Sequence, residues 1–333
     1  MLTPFVQIDV PTVDRNIAVM AASASARGLA LRPHAKTHKI PEIARRQLAA
    51  GAVGLTVATI GEAEVFADAG CTDLFIAYPL WPSLEAVERV AALARRVRLA
   101  VGTDSAEAAA GWAGTGARVL VEVDSGHHRS GVTPQEAAAF PADGAFTFPG
   151  HSYAPGASAA AAADEEAALL HARAGRPDFL LSGGSTPSAR ASVGGAGGID
   201  EIRPGVYVFG DAQQLTLGTC SLDDVALTVR ATVVSQGPGR VVVDAGSKIL
   251  GSDKPAFMDS FARTVDGHRL VSLSEHHGTI AWDTAVDGPQ PPRGTQLDII
   301  PNHACLVPNL VDEVVARDGD AVEKWQVAAR GRV

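Results

Sequence analysis

The chain has 333 residues, 46% of them hydrophobic, so it can bury a large core and we expect two domains. Its formal net charge of −9 and its lack of a basic tract argue against partners such as nucleic acid or an anionic membrane. No apolar run is long enough to cross a membrane, no signal peptide is recognisable, and the three cysteines are scattered, so we expect a cytoplasmic protein.

Short apolar runs alternate with helix-like segments from about residue 28 to about residue 211. Such runs are typical of parallel strands buried on both faces. The eight predicted strands are residues 29–32, 54–58, 74–77, 97–101, 118–123, 145–148, 179–181 and 199–202. This count predicts a (β/α)8 barrel of the TIM type. A doubly wound open sheet is the competing interpretation, although no GxGxxG motif follows the first strand.

The first predicted strand leads into the segment RPHAKTHK at residues 32–39, which holds Lys36 and Lys39. The whole chain has only five lysines among its 28 basic residues, so two of them in one octet are notable. Lysine, unlike arginine, can lose its proton and attack a carbonyl to form a Schiff base. A pair of solvated lysines that open a helix is the alternative.

The loops after the fifth and sixth strands place polar groups at the same predicted rim. The fifth strand leads into DSGHHRSG at residues 124–131, where Arg129 follows a glycine turn and can pair with an anionic oxygen. A surface ion pair is the alternative for this arginine. The sixth strand ends in GHSY at residues 150–153 and contributes the hydroxyl of Tyr153.

The loops after strands seven and eight are rich in glycine, and phosphate sites of barrel enzymes favour these two loops. Their sequences are SGGSTP at residues 182–187 and RPGVY at residues 203–207. Glycines let backbone amides approach an anion, and the hydroxyls add donors. The candidate phosphate-binding residues are Gly183, Gly184, Ser185, Thr186, Gly205 and Tyr207. Two ordinary turns are the alternative.

The pattern changes after about residue 215, where β-rich runs are separated by Gly, Pro and Asp turns. Residues 225–234, 240–243, 269–273 and 296–300 are predicted strands of an antiparallel β domain. We therefore expect a barrel domain at residues 13–214 and a β domain at residues 215–333. Residues 1–12 are expected to associate with the β domain.

Two histidine-containing segments of the β domain suggest a metal site. His303 and Cys305 are two residues apart on a segment expected to be extended, so both side chains would point the same way and offer imidazole and thiolate to Zn²⁺. A chance pair with an inert cysteine is the alternative. The segment SEHHG at residues 274–278 is also predicted as a strand, in which only one histidine can face the site as an acid or base. A hydrogen-bonded structural histidine is the alternative for that residue.

Taken together in order, these motifs resemble the D-serine dehydratase/D-threonine aldolase family, whose members are pyridoxal-phosphate (PLP) enzymes of the alanine racemase fold, fold type III. The resemblance extends over nearly the whole chain. It implies that Lys36 is the Schiff-base lysine, that Arg129 approaches the phenolic oxygen of PLP, and that Tyr153 and the two glycine-rich loops bind the cofactor. It also implies that His303 and Cys305 hold Zn²⁺ or another divalent metal and that His277 is catalytic.

The resemblance implies a lyase that acts on a small D-amino acid. His-x-Cys at residues 303–305 is similar to the dehydratases, which eliminate the β-hydroxyl group and give a 2-oxo acid and ammonia. Retro-aldol cleavage to glycine and an aldehyde, as in D-threonine aldolases, is the alternative. The family usually has a glutamate where this chain has His276, which indicates a different substrate preference or rate. Family members form head-to-tail dimers, so we expect a homodimer.

Three other classes of protein are alternatives to a lyase. A non-catalytic interaction protein would have no reason to keep Lys36. A PLP-binding regulatory protein with a single barrel would lack the β domain that follows residue 215. A racemase would need a second base and no metal, and the His303/Cys305 pair argues against it without excluding it.

Overall fold

A computed structural model describes residues 1–173, 175–195 and 197–333. The strands are β1 Phe5–Asp9, β2 Ala30–Leu31, β3 Leu55–Val57, β4 Asp73–Pro79, β5 Arg98–Thr103, β6 Arg118–Glu122, β7 Gly144–Phe146, β8 Leu180–Gly183, β9 Glu201–Ile202, β10 Leu227–Gly237, β11 Arg240–Val243, β12 Ala262–Thr264, β13 Arg269–Leu273, β14 Gly278–Ala281, β15 Gln296–Pro301, β16 Glu313–Asp318 and β17 Ala321–Gln326. The α-helices are α1 Val10–Ala26, α2 Pro41–Ala49, α3 Ile60–Asp68, α4 Leu84–Ala94, α5 Ala106–Gly111, α6 Pro134–Ala138, α7 Ser158–Arg173, α8 Ala212–Thr216 and α9 Ser247–Leu250.

The chain divides into two compact units. The barrel unit comprises residues 17–36, 40–205 and 331–333, and the β unit comprises residues 1–16, 37–39 and 206–330. Within the part of the chain that the structure describes, no helix is both long and apolar enough to cross a lipid bilayer.

The barrel unit is built on eight parallel strands in the order β2-β9-β8-β7-β6-β5-β4-β3. A parallel bridge between His34 and Thr56, beyond the end of β2 and within β3, joins the two ends of the sheet. The predicted (β/α)8 barrel is thus confirmed, and each of the eight predicted strands overlaps an observed one. Side chains fill the interior of the barrel. Phe75 and Phe146 meet edge to face there, with ring centroids 5.1 Å apart, beside the buried Leu120.

The carboxyl ends of these strands carry the loops that the sequence singled out, since parallel strands all point the same way. Several barrel helices begin at a hydroxyl-bearing residue whose oxygen accepts a backbone N–H of the first turn, which fixes where each loop stops. These N-cap residues are Thr59, Ser83, Ser105 and Thr133.

The β unit contains a closed ring of six strands, because β10 pairs with both β15 and β11 at the ends of the order β11-β14-β13-β12-β15-β10. Strands β1, β16 and β17 extend the same sheet, and β1 pairs with β10 and β16. The predicted antiparallel β domain is confirmed. The sequence pattern did not identify β12 and β14, which have only three and four residues, and it also missed the longer strands β1, β16 and β17.

Candidate active site

Lys36 lies in a short 3-10 turn, Ala35–Thr37, directly after the first barrel strand. It lines a cavity of about 560 Å³ together with His34, Arg129 and other residues of the barrel unit. Its Nζ atom lies 5.5 Å from the ring centroid of Phe148. Lys39 differs, because its Nζ donates a hydrogen bond to Asn309 Oδ1 at 2.8 Å within the β unit. Of the two lysines, Lys36 is therefore the one placed beside a cavity of the barrel.

The ring of Phe148 lies next to several of the polar side chains at this rim. The sequence pattern did not identify Phe148 as a site residue. The guanidinium carbon of Arg129 lies 5.1 Å from its ring centroid, and the ring of Tyr153 lies 6.1 Å from it. Lys36 and Arg129 thus contact the same aromatic ring, where a cation gains from the negative face of the π system. An aromatic residue two positions beyond a barrel strand, here β7, is the signal that could have indicated it.

The loop that carries Arg129 is shaped by Asp124. Its carboxylate accepts the backbone N–H groups of Gly126 and His128 at 2.9 and 3.0 Å and contacts the His128 ring at 2.7 Å. Gly131 has a φ of +102°, and a Cβ there would lie 2.7 Å from the Asp124 nitrogen. Only glycine fits this turn, which leaves Arg129 half-exposed, 4.0 Å from Glu122.

The loop after β8 is buried, and two of its backbone amides, those of Gly184 and Ser185, donate hydrogen bonds within the protein. Gly184 donates its N–H to Glu165, and Ser185 donates its N–H to Ser188 Oγ at 2.9 Å. This corrects the expectation that these amides are open to an anion. The hydroxyl-bearing side chains of this loop, Ser185 and Thr186, are both largely buried.

Glu165, on α7, explains the first glycine of this loop and was missed by sequence reasoning. A Cβ on Gly183 would lie 2.3 Å from Glu165 Oε1, so only glycine allows the carboxylate this close. Burial raises the pKa of Glu165 to about 7, although the Gly184 amide and Arg203 favour the ionised form. Glu165 stands in an alanine-rich helix, so nothing local in the sequence identifies it.

The loop after β9 carries Arg203 in the barrel interior. Its guanidinium donates to Ser182 Oγ at 2.5 Å and to the Thr147 carbonyl at 2.6 Å. Burial lowers its pKa, which nearby carboxylates partly offset. Gly205 ends this segment of the barrel unit, while Tyr207 belongs to the β unit and is buried there.

In the β unit, His303 and Cys305 lie on a turn after β15 and not on an extended strand, which corrects the expected geometry. The two side chains meet all the same, through a hydrogen bond. His303 Nδ1 also lies 2.7 Å from Asp253 Oδ2, and Cys305 Sγ lies 3.1 Å from Thr37 Oγ1. Although burial disfavours a charged imidazole, the Cys305 thiol and the nearby carboxylates raise the pKa of His303 to about 10.

Asp211 holds the turn in place and was also missed. One carboxylate oxygen accepts the N–H of Ala304, between His303 and Cys305, at 3.0 Å, and the other accepts the N–H of Gln214 at 2.8 Å. Burial raises the pKa of Asp211 to about 6, although His303 favours its ionised form. Its position 92 residues before His303 gave no sequence signal.

The segment around His277 is not a strand. Residues 274–277 form the exposed connection between β13 and β14, and both His276 and His277 are exposed there. Ser274 donates its backbone N–H to the His277 carbonyl at 2.8 Å, which closes this turn. The argument that opposite strand faces separate the two histidines is therefore wrong.

The donor set of the His303/Cys305 turn fits a metal ion in its chemistry. An imidazole and a thiol adjoin, and a carboxylate on Nδ1 fixes the imidazole, as around metal-binding histidines in general. Within residues 1–173, 175–195 and 197–333, no group of three or more His, Cys, Asp or Glu side chains is arranged to hold a metal. A metal here would take two protein ligands and complete its shell from water or substrate.

Comparison with family profiles assigns both parts of the chain. Residues 8–213 match the alanine racemase N-terminal domain, and residues 226–316 match the putative serine dehydratase domain. The chain is 35% identical to the D-threo-3-hydroxyaspartate dehydratase of Delftia sp., over 97% of this chain and 96% of that protein. It is 32% identical to the D-threonine aldolase of an Arthrobacter species, over 99% of this chain and 93% of that protein.

Solved structures agree with these matches. The Delftia dehydratase superposes with a TM-score of 0.87 at 34% identity, covering 98% of this chain and 97% of that one. The D-threonine aldolase of Filomicrobium marinum also gives 0.87, at 30% identity, covering 100% and 97%. A cysteine-to-alanine mutant of a D-threo-3-hydroxyaspartate dehydratase, solved in the metal-free form, gives 0.86 at 33% identity, covering 98% and 97%.

Proposed function

Because this chain belongs to the D-serine dehydratase/D-threonine aldolase family of PLP-dependent lyases, we propose that it eliminates the β-hydroxyl group of a D-β-hydroxy amino acid. The products are a 2-oxo acid and ammonia, because the water lost in the elimination is taken up again when the nitrogen is released. The observation that carries the proposal is the position of Lys36, beside Phe148 in the wall of a cavity of about 560 Å³.

PLP bound at this cavity would supply an electron sink that makes the Cα proton of an amino acid removable. Lys36 would hold the cofactor and, once its amine is released, take that proton. Arg129, which lies near the same Phe148 ring as Lys36, offers a guanidinium to an anionic oxygen, and the ring restricts where both cations can lie. Tyr153 adds a hydroxyl at the same rim.

His303 and Cys305 are the proposed ligands of a divalent cation, and Zn²⁺ suits an imidazole and a thiolate. Such a cation would supply Lewis-acid stabilisation of a departing hydroxyl oxygen. Asp253 orients the imidazole, and Asp211 fixes the turn between the two ligands. Cys305 in place of an aspartate supports elimination over retro-aldol cleavage, because the resemblance associates His-x-Cys with the dehydratases. His277 as a catalytic residue and the homodimer stay predictions.

The experiment that tests this proposal follows the cofactor to one lysine. The purified protein is incubated with PLP, reduced with borohydride and digested, and the modified peptide is identified by mass spectrometry. We expect the label on Lys36, no label in Lys36→Ala, and full labelling in the control Lys39→Arg. A wild-type protein that takes up no PLP, or a label elsewhere, overturns the proposal.

A further inference from the structure

Glu165 is a fully buried carboxylate to which neither the proposed PLP chemistry nor the metal pair assigns a role. It is 1% exposed and lies beneath the loop that follows β8. Oε1 accepts the N–H of Gly184, and Oε2 lies 3.4 Å from Ser188 Oγ. A buried carboxylate is costly unless it is paired or neutral, so its presence under this loop calls for a function.

A chain of hydroxyl groups connects this carboxylate to the loop. Ser188 Oγ lies 2.9 Å from Ser185 Oγ, which in turn lies 2.8 Å from Ser152 Oγ. Ser152, Ser185 and Ser188 are each at most 2% exposed, so bulk solvent does not supply alternative partners. Ser188 also accepts the N–H of Ser185 at 2.9 Å, which leaves its single proton for one of its two other neighbours.

Counting protons shows that the chain has two states. The three hydroxyls carry three protons. When the carboxylate is ionised, Ser152 donates to Ser185, Ser185 donates to Ser188, and Ser188 donates to Glu165, so all three protons are used. When Glu165 is protonated, the row of hydrogen bonds holds a fourth proton and every donor becomes the acceptor of the same contact. One hydroxyl proton is then left without an acceptor inside the row. That proton is available to an external acceptor at Ser185 or Ser152.

We propose that Glu165 is a positioning residue whose protonation turns the hydroxyls of Ser185 and Ser152 towards the phosphate group of the cofactor, so that phosphate binding is coupled to proton uptake. This inference rests on the proposed function in one respect, that the loop after β8 binds the phosphate. Charge acts in the same direction, because a phosphate dianion and an ionised Glu165 repel each other more strongly in a buried region than in bulk water.

The charges around Glu165 are consistent with a group that changes state near neutrality. Arg203 in the barrel interior favours the ionised form, while the adjacent carboxylate of Glu166 disfavours it. Burial outweighs the remaining contacts and places the pKa of Glu165 at about 7 without ligand. An anion on the loop raises that pKa further, and the affinity for the anion falls correspondingly once the pH exceeds the pKa of the free protein.

The test measures cofactor affinity as a function of pH. Apoprotein is titrated with PLP and, separately, with pyridoxal, which lacks the phosphate group, from about pH 6 to about pH 9. The titration of Lys36 affects the binding of both compounds, so its effect cancels in the ratio of the PLP affinity to the pyridoxal affinity. For the wild type we expect this ratio to fall with pH, approaching about tenfold per pH unit for one coupled proton.

Glu165→Gln is the decisive variant, because its amide oxygen accepts from Gly184 while its NH₂ group donates to Ser188, as protonated glutamic acid does. We expect its affinity ratio to vary by less than about twofold over the same range and to exceed the wild-type ratio at high pH. Glu166→Gln, the matched control, is expected to keep the wild-type slope. Ser188→Ala interrupts the hydroxyl chain without removing the carboxylate and is expected to reduce the slope to the part that charge repulsion from Glu165 causes.

A wild-type slope in Glu165→Gln overturns the inference, and so does a folded Glu165→Gln protein that binds PLP no better than pyridoxal. Inorganic phosphate provides a separate measurement, through its effect on thermal stability at each pH. A wild-type protein that takes up no PLP contradicts the proposed function. The inference about Glu165 still stands if phosphate raises the thermal stability by an amount that falls with pH in the wild type but not in Glu165→Gln. If phosphate shows no such slope, the inference fails as well.

Discussion

Thr37 Oγ1 lies 3.1 Å from Cys305 Sγ, although 268 positions separate the two residues. Thr37 directly follows Lys36 in the sequence, and Cys305 contacts His303 by a hydrogen bond. The residue next to the proposed cofactor lysine and the proposed metal ligand are thus fixed to each other inside the β unit.

Replacing Cys305 by alanine removes one of the two proposed protein ligands. We expect purified Cys305→Ala to lose most of its bound divalent metal, because a single imidazole binds the ion weakly. Metal content per chain, measured by atomic spectrometry after dialysis, checks this. Cys220→Ala is the control and is expected to keep the wild-type content. Equal metal in the wild type and Cys305→Ala would refute Cys305 as a ligand.

Replacing Asp253 by asparagine removes the negative partner of His303 Nδ1 but keeps the size of the side chain. Partners of this kind orient the imidazole and raise its basicity, so we expect metal affinity to fall about 10- to 100-fold. Competition with a chelating dye measures the affinity. Asp259→Asn, which removes a surface partner of Arg269, should leave it unchanged. An unchanged affinity in Asp253→Asn would contradict the role given to this carboxylate.

Adding a methyl group at Gly183 should destabilise the barrel. A Cβ there would lie 2.3 Å from Glu165 Oε1, so the carboxylate or the loop must shift. We expect Gly183→Ala to lower the free energy of unfolding by about 1 to 3 kcal/mol, the usual cost of overpacking. Gly197→Ala is the matched control, since a Cβ at Gly197 meets no atom within 4 Å among the described residues beyond its chain neighbours. Urea unfolding measures the free energy of unfolding of both variants. Equal values for Gly183→Ala and Gly197→Ala would contradict the close packing of Gly183 against Glu165.

The raised pKa of Glu165 predicts how the stability of the apoprotein depends on pH. Its pKa is about 7 in the folded protein against 4.5 as the ordinary value. The stabilising contribution is therefore complete below about pH 4.5 and is lost as the pH rises through about 7. From about pH 5 to about pH 8, the free energy of unfolding of the wild type should fall by roughly 2 to 3 kcal/mol relative to that of Glu165→Gln. Parallel pH profiles of the two proteins in urea unfolding would contradict the raised pKa.

The barrel was predictable because buried parallel strands leave a local signature. The strands around Leu74 and Leu120 are apolar runs of the right length, and each is followed by a helix with a clear start. The three-residue strand Ala262–Thr264 carries no such signature, because its partners β13 and β15 determine its conformation. Short strands of this kind are defined by pairing and not by local composition.

Candidate site residues could be proposed from the sequence only where the sequence itself carries a signal. Lys36 was proposed because lysine is scarce and because its segment resembles the family's, and His303 and Cys305 because they are near neighbours, although their turn was predicted as a strand. Glu165 and Asp211 could not be found in this way. Each acts by accepting backbone N–H groups of a distant segment, and that contact exists only in the folded chain.

The central claim is tested most directly by the products. The purified protein with PLP and Zn²⁺ is incubated with D-threo-3-hydroxyaspartate, D-serine and D-threonine, and ammonia, 2-oxo acid, glycine and aldehyde are quantified. We predict ammonia and 2-oxo acid in equal amounts from at least one substrate, abolished in Lys36→Ala and suppressed by EDTA. Glycine and an aldehyde without ammonia, or no product from any of the three, would contradict the elimination.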